Sequence, residues 1–176
     1  LLTQVNVVDD FFPPEVFYQV HKWFTHECYW FYNPYVNKEG DHPDDYQFQH
    51  VFLLPDRGVV TDCMFALQPF FDRIPASEWI RVKANLRPKC HEMRVGGFHI
   101  DYEDCITSIF YFNDNDGQTT FESGGYVKSV ANRLITFPSN LRHSGSTCTD
   151  AKARFVLNLN YMPVSYTHLR AHETPT

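Results

Sequence analysis

The second half of this chain is a succession of short segments rich in β-branched and aromatic residues. Between Ser77 and Pro163, clusters of Asn, Asp, Gly and Pro separate the segments WIRVKANL, CITSIFYF, TTFES, YVKSV, RLITFP and ARFVLNLNYM. The residues within the segments suit the pleated surface of a sheet, and the residues between them favour turns. Many short strands in close succession are typical of a sandwich or a jelly roll. We therefore expect a mainly β domain of this type.

The region before Ser77 has a helical pattern. In FFPPEVFYQVHKWF, a proline pair suits a helix start, Asp9 or Asp10 precedes it as a candidate cap, and apolar residues recur at helical spacing. A second helix is expected over about residues 61–73. The intervening residues 33–45 are polar and rich in turn formers, which predicts a loop. Helices that pack on a β core indicate an α+β fold.

Composition excludes several classes of partner. The net charge is −6 with no run of Lys or Arg, which argues against nucleic acid or an anionic membrane as a partner. No stretch approaches the roughly 18 apolar residues of a membrane span, and no signal peptide is visible. The five cysteines are scattered and form no C-x-x-C motif. Free thiols in a reducing compartment are the expected state, so we predict a cytoplasmic location in a bacterial or phage-infected cell.

The C-terminal stretch VSYTHLRAHET, residues 164–174, has neither the periodicity nor the composition of the strand before it. It matches, residue for residue, the translation of a transposase-type sequencing adapter. We therefore predict a single domain over residues 1–163 and a non-native, adapter-like tail over residues 164–176. His168 and His172 lie in this tail and are not counted among the candidate metal ligands.

The stretch GGFHIDYED places two metal-binding side chains, His99 and Asp101, two positions apart. In a strand, residues i and i+2 point to the same face, so both side chains can bind one ion. His143 follows the RLITFP strand and is the candidate third ligand, because a jelly roll can bring a late strand beside an early one. Two histidines and one carboxylate leave coordination positions open, the arrangement of non-haem Fe(II) oxygenases.

Arg154 begins the last apolar strand and predicts a binding site for an anion. An arginine that faces the interior is unfavourable unless it meets a negative charge. The planar guanidinium suits a carboxylate held through two parallel hydrogen bonds. A dicarboxylate that chelates the metal at one end would meet Arg154 at the other. Asn158 lies four residues later on the same strand face, and we expect it to line the same pocket.

Several motifs resemble, in order and spacing, the prolyl-4-hydroxylase-like branch of the Fe(II)/2-oxoglutarate dioxygenases, especially its short phage-encoded members. They are KANLRP, FHID, TSIFYFNDNDGQTTF, GYVKSVANRLITF, RHSGSTCTD and RFVLNLNY. The resemblance extends over about residues 79–163. It implies a double-stranded β-helix (jelly roll) core over about residues 77–163, with N-terminal supporting helices over about residues 10–75.

Carried onto this sequence, the resemblance implies site residues and cofactors. His99, Asp101 and His143 would bind Fe(II), and Arg154 would bind the distal carboxylate of 2-oxoglutarate. Tyr111 matches a tyrosine that hydrogen-bonds the same carboxylate in some relatives, although a buried core tyrosine is an equally good interpretation. Collagen-type prolyl hydroxylases have a lysine in place of Arg154, which argues against a collagen-like substrate.

The implied activity is hydroxylation of a C–H bond with 2-oxoglutarate and O2, which releases succinate and CO2, with ascorbate as a reductant. Because peptidyl proline is the usual substrate of this branch, we expect a peptide or protein substrate, with a free amino acid as the alternative. The carboxylate of Asp101 favours hydroxylation, since related halogenases lack it. Two other classes of function stay open: a cupin-like metal enzyme that does not use 2-oxoglutarate, and a jelly-roll binding module without catalysis.

Overall fold

The computed structural model describes residues 4–37 and 42–164, so the predicted adapter-like tail lies outside the described residues except for Val164. The elements in chain order are β1 (Asn6–Val8), α1 (Pro14–Lys22), β2 (Phe31–Asn33), β3 (Gln47–Leu54), β4 (Gly58–Val59), α2 (Gln68–Arg73), β5 (Ala76–Pro88), β6 (Ile106–Tyr111), β7 (Gln118–Phe121), β8 (Tyr126–Lys128), β9 (Arg133–Pro138), β10 (His143–Gly145) and β11 (Ala153–Pro163). A π-helical turn, Trp23–Glu27, extends α1, and a 3-10 turn, Met64–Leu67, precedes α2.

The strands form two sheets, and every strand pair within the described ranges is antiparallel. The large sheet has the order β1-β9-β6-β11-β5-β3-β2, with β4 paired to β3, and the small sheet has the order β10-β7-β8. Two single bridges, Val95 to Ser146 and His99 to His143, add the segment before β6 to the free edge of β10. This arrangement is the predicted double-stranded β-helix.

Side-chain alternation in the large sheet builds two separate apolar cores. On one face, Phe24 after α1 stacks on Phe112 with 4.3 Å between ring centroids, and Phe70 of α2 meets Phe110 edge to face at 5.1 Å. On the other face, a smaller cluster joins the two sheets and consists of Ile109, Tyr111, Phe121, Val127, Ile135, Phe137 and Val156. The molecule therefore has three layers, namely helices, large sheet and small sheet.

The start of α1 differs from the prediction. Pro13 is the N-cap and no side chain caps the helix, so the expectation that Asp9 or Asp10 caps it was wrong. Asp9 instead accepts hydrogen bonds of 2.6 and 3.0 Å from the guanidinium of Arg133. Asp10 has a φ of 50°, which turns the chain between β1 and the helix. The ion pair of Asp9 with Arg133 and the turn at Asp10 therefore keep the two carboxylates away from the helix N-terminus.

The region predicted as helical support is also partly β. Strands β2, β3 and β4 lie within it, and β3 pairs with β5, so the large sheet extends beyond the jelly-roll core. The alternation in QFQHVFLL is consistent with strand β3. The polar loop before this segment makes the start of the strand difficult to recognise from sequence. The second helix begins at Gln68, later than expected. Among the described residues, no helix has the length and apolar character needed to cross a membrane.

Candidate active site

His99, Asp101 and His143 converge at one end of the space between the two sheets. The backbones of His99 and His143 exchange two N–H···O hydrogen bonds of 3.0 Å, which bring their imidazoles to 4.7 Å between ring centroids. Asp101 Oδ1 lies 3.8 Å from His99 Nε2, and Asp101 Oδ2 lies 3.9 Å from His143 Nε2. The three ligand atoms all lie within 4.8 Å of one another, so one ion can contact all three.

The imidazoles are oriented through their second nitrogens. Nδ1 of His143 lies 2.9 Å from the carbonyl oxygen of Leu141, and Nδ1 of His99 lies 3.3 Å from that of Gly97. Because a carbonyl only accepts, each Nδ1 carries the hydrogen and each Nε2 keeps its lone pair for a metal. Burial lowers the pKa of His143, which favours the neutral, metal-binding form.

Asp101 is held in its ionised form by one side chain from each of three strands, β5, β6 and β11. Its Oδ1 accepts from Arg81 at 2.7 Å, and its Oδ2 accepts from Thr107 at 2.9 Å and from Asn160 at 3.0 Å. Burial raises the pKa of Asp101, but the charge of Arg81, together with the hydrogen bond from Asn160, outweighs burial and lowers this pKa to about 2. Two neutral imidazoles and one carboxylate fit Fe(II) with open positions.

A cavity of about 190 Å³ adjoins these three residues, and its wall also contains Arg154 and Asn158. Arg154 is only 4% exposed. Its Nε donates to Ser129 Oγ at 2.8 Å and its Nη2 donates to Thr119 Oγ1 at 3.3 Å. Both partners are neutral hydroxyls, and no described carboxylate pairs with this guanidinium. A buried cation that faces a cavity without a counter-ion suits an anionic ligand.

The structure places Tyr111 and Asn158 differently with respect to this cavity. Tyr111 is fully buried behind the cavity wall, where its hydroxyl donates to Thr119 Oγ1 at 2.7 Å and its ring lies 5.5 Å from the Arg154 guanidinium. Asn158 lines the cavity itself, and its buried Oδ1 has no hydrogen-bond partner among the described residues. Tyr111 therefore adjoins the guanidinium, while Asn158 adjoins any ligand that enters.

Sequence reasoning missed the polar residues that β5 presents to the cavity. Arg81, Lys83, Asn85 and Arg87 alternate along this strand, and all four line the cavity. The alternation of WIRVKANLRP was visible in the sequence, but polar residues at every second position of a strand usually face solvent. Here the opposite face packs under the helices, so the polar face points into the jelly roll.

The sequence matches no protein-family model, and a search of curated proteins finds no match. Solved structures do match. A prolyl hydroxylase from Trichoplax adhaerens, in complex with a peptide of the hypoxia-inducible-factor oxygen degradation domain, is 13% identical with a TM-score of 0.59, covering 98% of this chain and 88% of that chain. A 2OG-Fe(II) oxygenase family oxidoreductase from Burkholderia pseudomallei is 10% identical with a TM-score of 0.62, covering 90% and 85%. The chain has the fold of the 2OG-Fe(II) oxygenases.

A further solved structure with this oxygenase fold has a ligand bound. HygX from Streptomyces hygroscopicus, with nickel and 2-oxoglutarate bound, is 13% identical with a TM-score of 0.58, covering 92% of this chain and 84% of that chain. Identities this low show a shared fold and nothing more.

Proposed function

We propose that the protein is a 2-oxoglutarate- and O2-dependent hydroxylase that binds Fe(II) through His99, Asp101 and His143. The observation that carries the proposal is the presence, on one cavity, of both this metal-ligand triad and the buried guanidinium of Arg154. A metal enzyme without 2-oxoglutarate needs only the triad, and a binding module needs neither. A dicarboxylate cosubstrate accounts for both features, because one end can chelate the metal while the carboxylate at the other end pairs with the guanidinium of Arg154.

The chain's own residues position the reactants. Arg154, held by Ser129 and Thr119, presents its guanidinium to the distal carboxylate of 2-oxoglutarate. Arg81 and Asn160 fix both oxygens of Asp101. With Fe(II), 2-oxoglutarate and O2 bound, the chemistry supplied is oxidative decarboxylation to succinate and CO2, coupled to hydroxylation of a substrate C–H bond.

We further propose a peptidyl, prolyl-type substrate, with a free amino acid as the alternative. The fold shared with a prolyl hydroxylase whose structure contains a peptide supports the first choice. The resemblance of the sequence motifs supports placement with the short phage-encoded members of the prolyl-4-hydroxylase-like branch, acting in the cytoplasm. Ascorbate would serve as the reductant.

The test is succinate formation by the full chain from 2-oxoglutarate, Fe(II) and O2, measured across a library of prolyl peptides and free amino acids. Mass spectrometry of the stimulating library member then locates the added oxygen. We expect succinate formation that requires all three components. A protein that consumes no 2-oxoglutarate but converts a substrate when loaded with Zn(II) or Mn(II) would instead be a cupin-like metal enzyme. A protein that converts none of the tested compounds would support the non-catalytic binding module.

A further inference from the structure

Two cations on the cavity wall, the buried Arg154 and the partly buried Lys83, have no acidic partner in the described part of the chain. Lys83 projects from β5 into the cavity, and its ammonium has neither a hydrogen bond nor an ion pair there. Burial, assisted by the nearby charge of Arg81, lowers the pKa of Lys83 to about 8, while Asp101 acts in the opposite direction. The side chain is thus largely protonated at neutral pH and lacks a counter-ion.

Two amides beside Lys83 are also unsatisfied. Asn158 lies directly opposite Lys83 in the pairing of β11 with β5, and Asn85 is the next residue on the same face of β5. Both Oδ1 atoms are buried and have no hydrogen-bond partner within residues 4–37 and 42–164, and Asn85 as a whole is only 7% exposed. Buried polar groups in proteins are almost always hydrogen-bonded. Three such groups on one wall therefore indicate a polar ligand at this position.

Under the proposed function, 2-oxoglutarate alone does not provide a counter-ion for Lys83. Arg81 already pairs with Asp101 at 2.7 Å, and Arg87 pairs with Asp45 at 3.4 Å. In the proposed function, one carboxylate of 2-oxoglutarate joins the metal and the other joins Arg154. Lys83 is then the remaining cation without an anion among these residues.

We infer that the substrate carries a carboxylate close to the reacting C–H bond, which Lys83 binds as an ion pair while Asn85 and Asn158 accept hydrogen bonds from N–H groups beside it. This inference rests on the proposed function and narrows its substrate class. A free amino acid and a peptide with an acidic residue beside the target residue both present this chemistry.

The experiment compares matched probes that differ only in charge. Free amino acids are assayed against their carboxamides, L-proline against L-prolinamide among them, and prolyl peptides containing Asp or Glu are assayed against the same peptides containing Asn or Gln. Succinate formation gives KM for each probe, and calorimetry gives its affinity for the protein loaded with Fe(II) and 2-oxoglutarate without O2. The variants are Lys83→Met, Lys83→Arg and, as a control, Lys128→Met, whose lysine is exposed on β8.

We expect the carboxylate member of at least one pair to bind roughly 30-fold or more tightly than its amide in the wild type. Lys83→Met removes this preference, Lys83→Arg keeps part of it, and Lys128→Met keeps all of it. If the carboxylate is preferred over the amide among the free amino acids, the substrate is a free amino acid. If it is preferred among the peptides, the substrate is a peptide with an acidic side chain. This preference ratio separates a binding role from a structural one, because misfolding weakens both members of a pair.

Three outcomes overturn the inference: no preferred carboxylate in the wild type, a preference that survives Lys83→Met, or a Lys83→Met variant whose KM rises for 2-oxoglutarate and not for the probe. The visible band of the anaerobic Fe(II)–2-oxoglutarate complex, recorded on the same preparation, reports on the proposed function without any substrate. A protein that gives the band but prefers no carboxylate refutes this inference alone. A protein without the band refutes the proposed function and this inference together.

Discussion

The two faces of the strand pair β5 and β11 have opposite chemistry, although their residues alternate along the same chain. Toward the helices, Val82, Ala84, Leu157 and Leu159 are all 0% exposed and belong to the apolar core. Toward the small sheet, the intervening residues are mostly polar or charged: Arg81, Lys83, Asn85, Arg87, Arg154, Val156, Asn158 and Asn160. The comparison indicates that one face builds the apolar core of the domain and the other lines the cavity.

The difference has an energetic consequence. Each buried methylene of the apolar face contributes about 0.8 kcal/mol to stability. Cations and amides buried without partners are unfavourable in the empty protein. Substitutions on the two faces should therefore have opposite effects, with apolar truncation lowering stability and removal of an unpaired charge raising it at the expense of binding.

The largest expected effect is on catalysis. His143→Ala removes a metal ligand, so Fe(II)-dependent succinate formation should fall below detection while the far-UV circular dichroism stays that of the wild type. His91→Ala is the matched control, because His91 is exposed and lies outside the cavity. Zn(II) should inhibit the wild type, since it binds N/O sites more tightly than Fe(II) and has no redox chemistry. A His143→Ala variant that consumes 2-oxoglutarate at the wild-type rate contradicts the metal assignment.

The next effect tests the apolar face. Leu157→Ala should lower the free energy of unfolding by about 2–5 kcal/mol, because it leaves a cavity in a fully buried core. Met162→Ala on the same strand is the control, since Met162 is 38% exposed and its truncation should change stability by about 0.5 kcal/mol or less. Denaturant unfolding measures both. Equal losses would show that the helix-facing core does not dominate stability.

A smaller effect of opposite sign is expected on the cavity face. Lys83→Met should raise the unfolding free energy of the ligand-free protein by about 1–3 kcal/mol at pH 7, at about 1.4 kcal/mol per pKa unit. The pKa of Lys83 is about 8 in the folded state, below the ordinary 10.5, so the unfolded chain binds the proton more tightly. The gain should therefore be complete below about pH 8 and vanish as the pH rises toward about 10.5. A destabilised variant at pH 7 would mean that Lys83 has a partner in the folded protein.

The smallest effect concerns the predicted adapter-like tail. A chain without residues 164–176 should keep its melting temperature and its activity, because a sequence derived from an adapter was not selected to pack against the domain. Differential scanning calorimetry and the succinate assay measure the two properties. A fall of several degrees in melting temperature would make the tail part of the native structure.

The jelly roll and the pairing of His99 with Asp101 were accessible from sequence, because period-2 alternation and the H-x-D spacing are local signals. His143 was predicted only because a jelly roll can bring a late strand beside an early one. Strand β10, which carries His143, has three residues and is too short for any periodicity. Alternation also has the same appearance whether the polar face meets solvent or an internal cavity, so the position of Lys83 on the cavity wall could not be predicted. Arg81 and Asn160, which hold Asp101, come from strands far from it in the sequence, and only the fold brings these residues together.

The central claim is that one cavity joins a metal site to a separate carboxylate site, and Arg154→Ala tests it most directly. Anaerobic titration should give a visible band that requires both Fe(II) and 2-oxoglutarate. In Arg154→Ala the affinity for 2-oxoglutarate should fall roughly 30- to several-thousand-fold while the separately measured Fe(II) affinity stays nearly unchanged. Arg154→Lys should recover only part of the loss, because an ammonium lacks the planar fork. Equal loss of both affinities would make Arg154 a structural residue, and an unchanged affinity for 2-oxoglutarate would contradict the account.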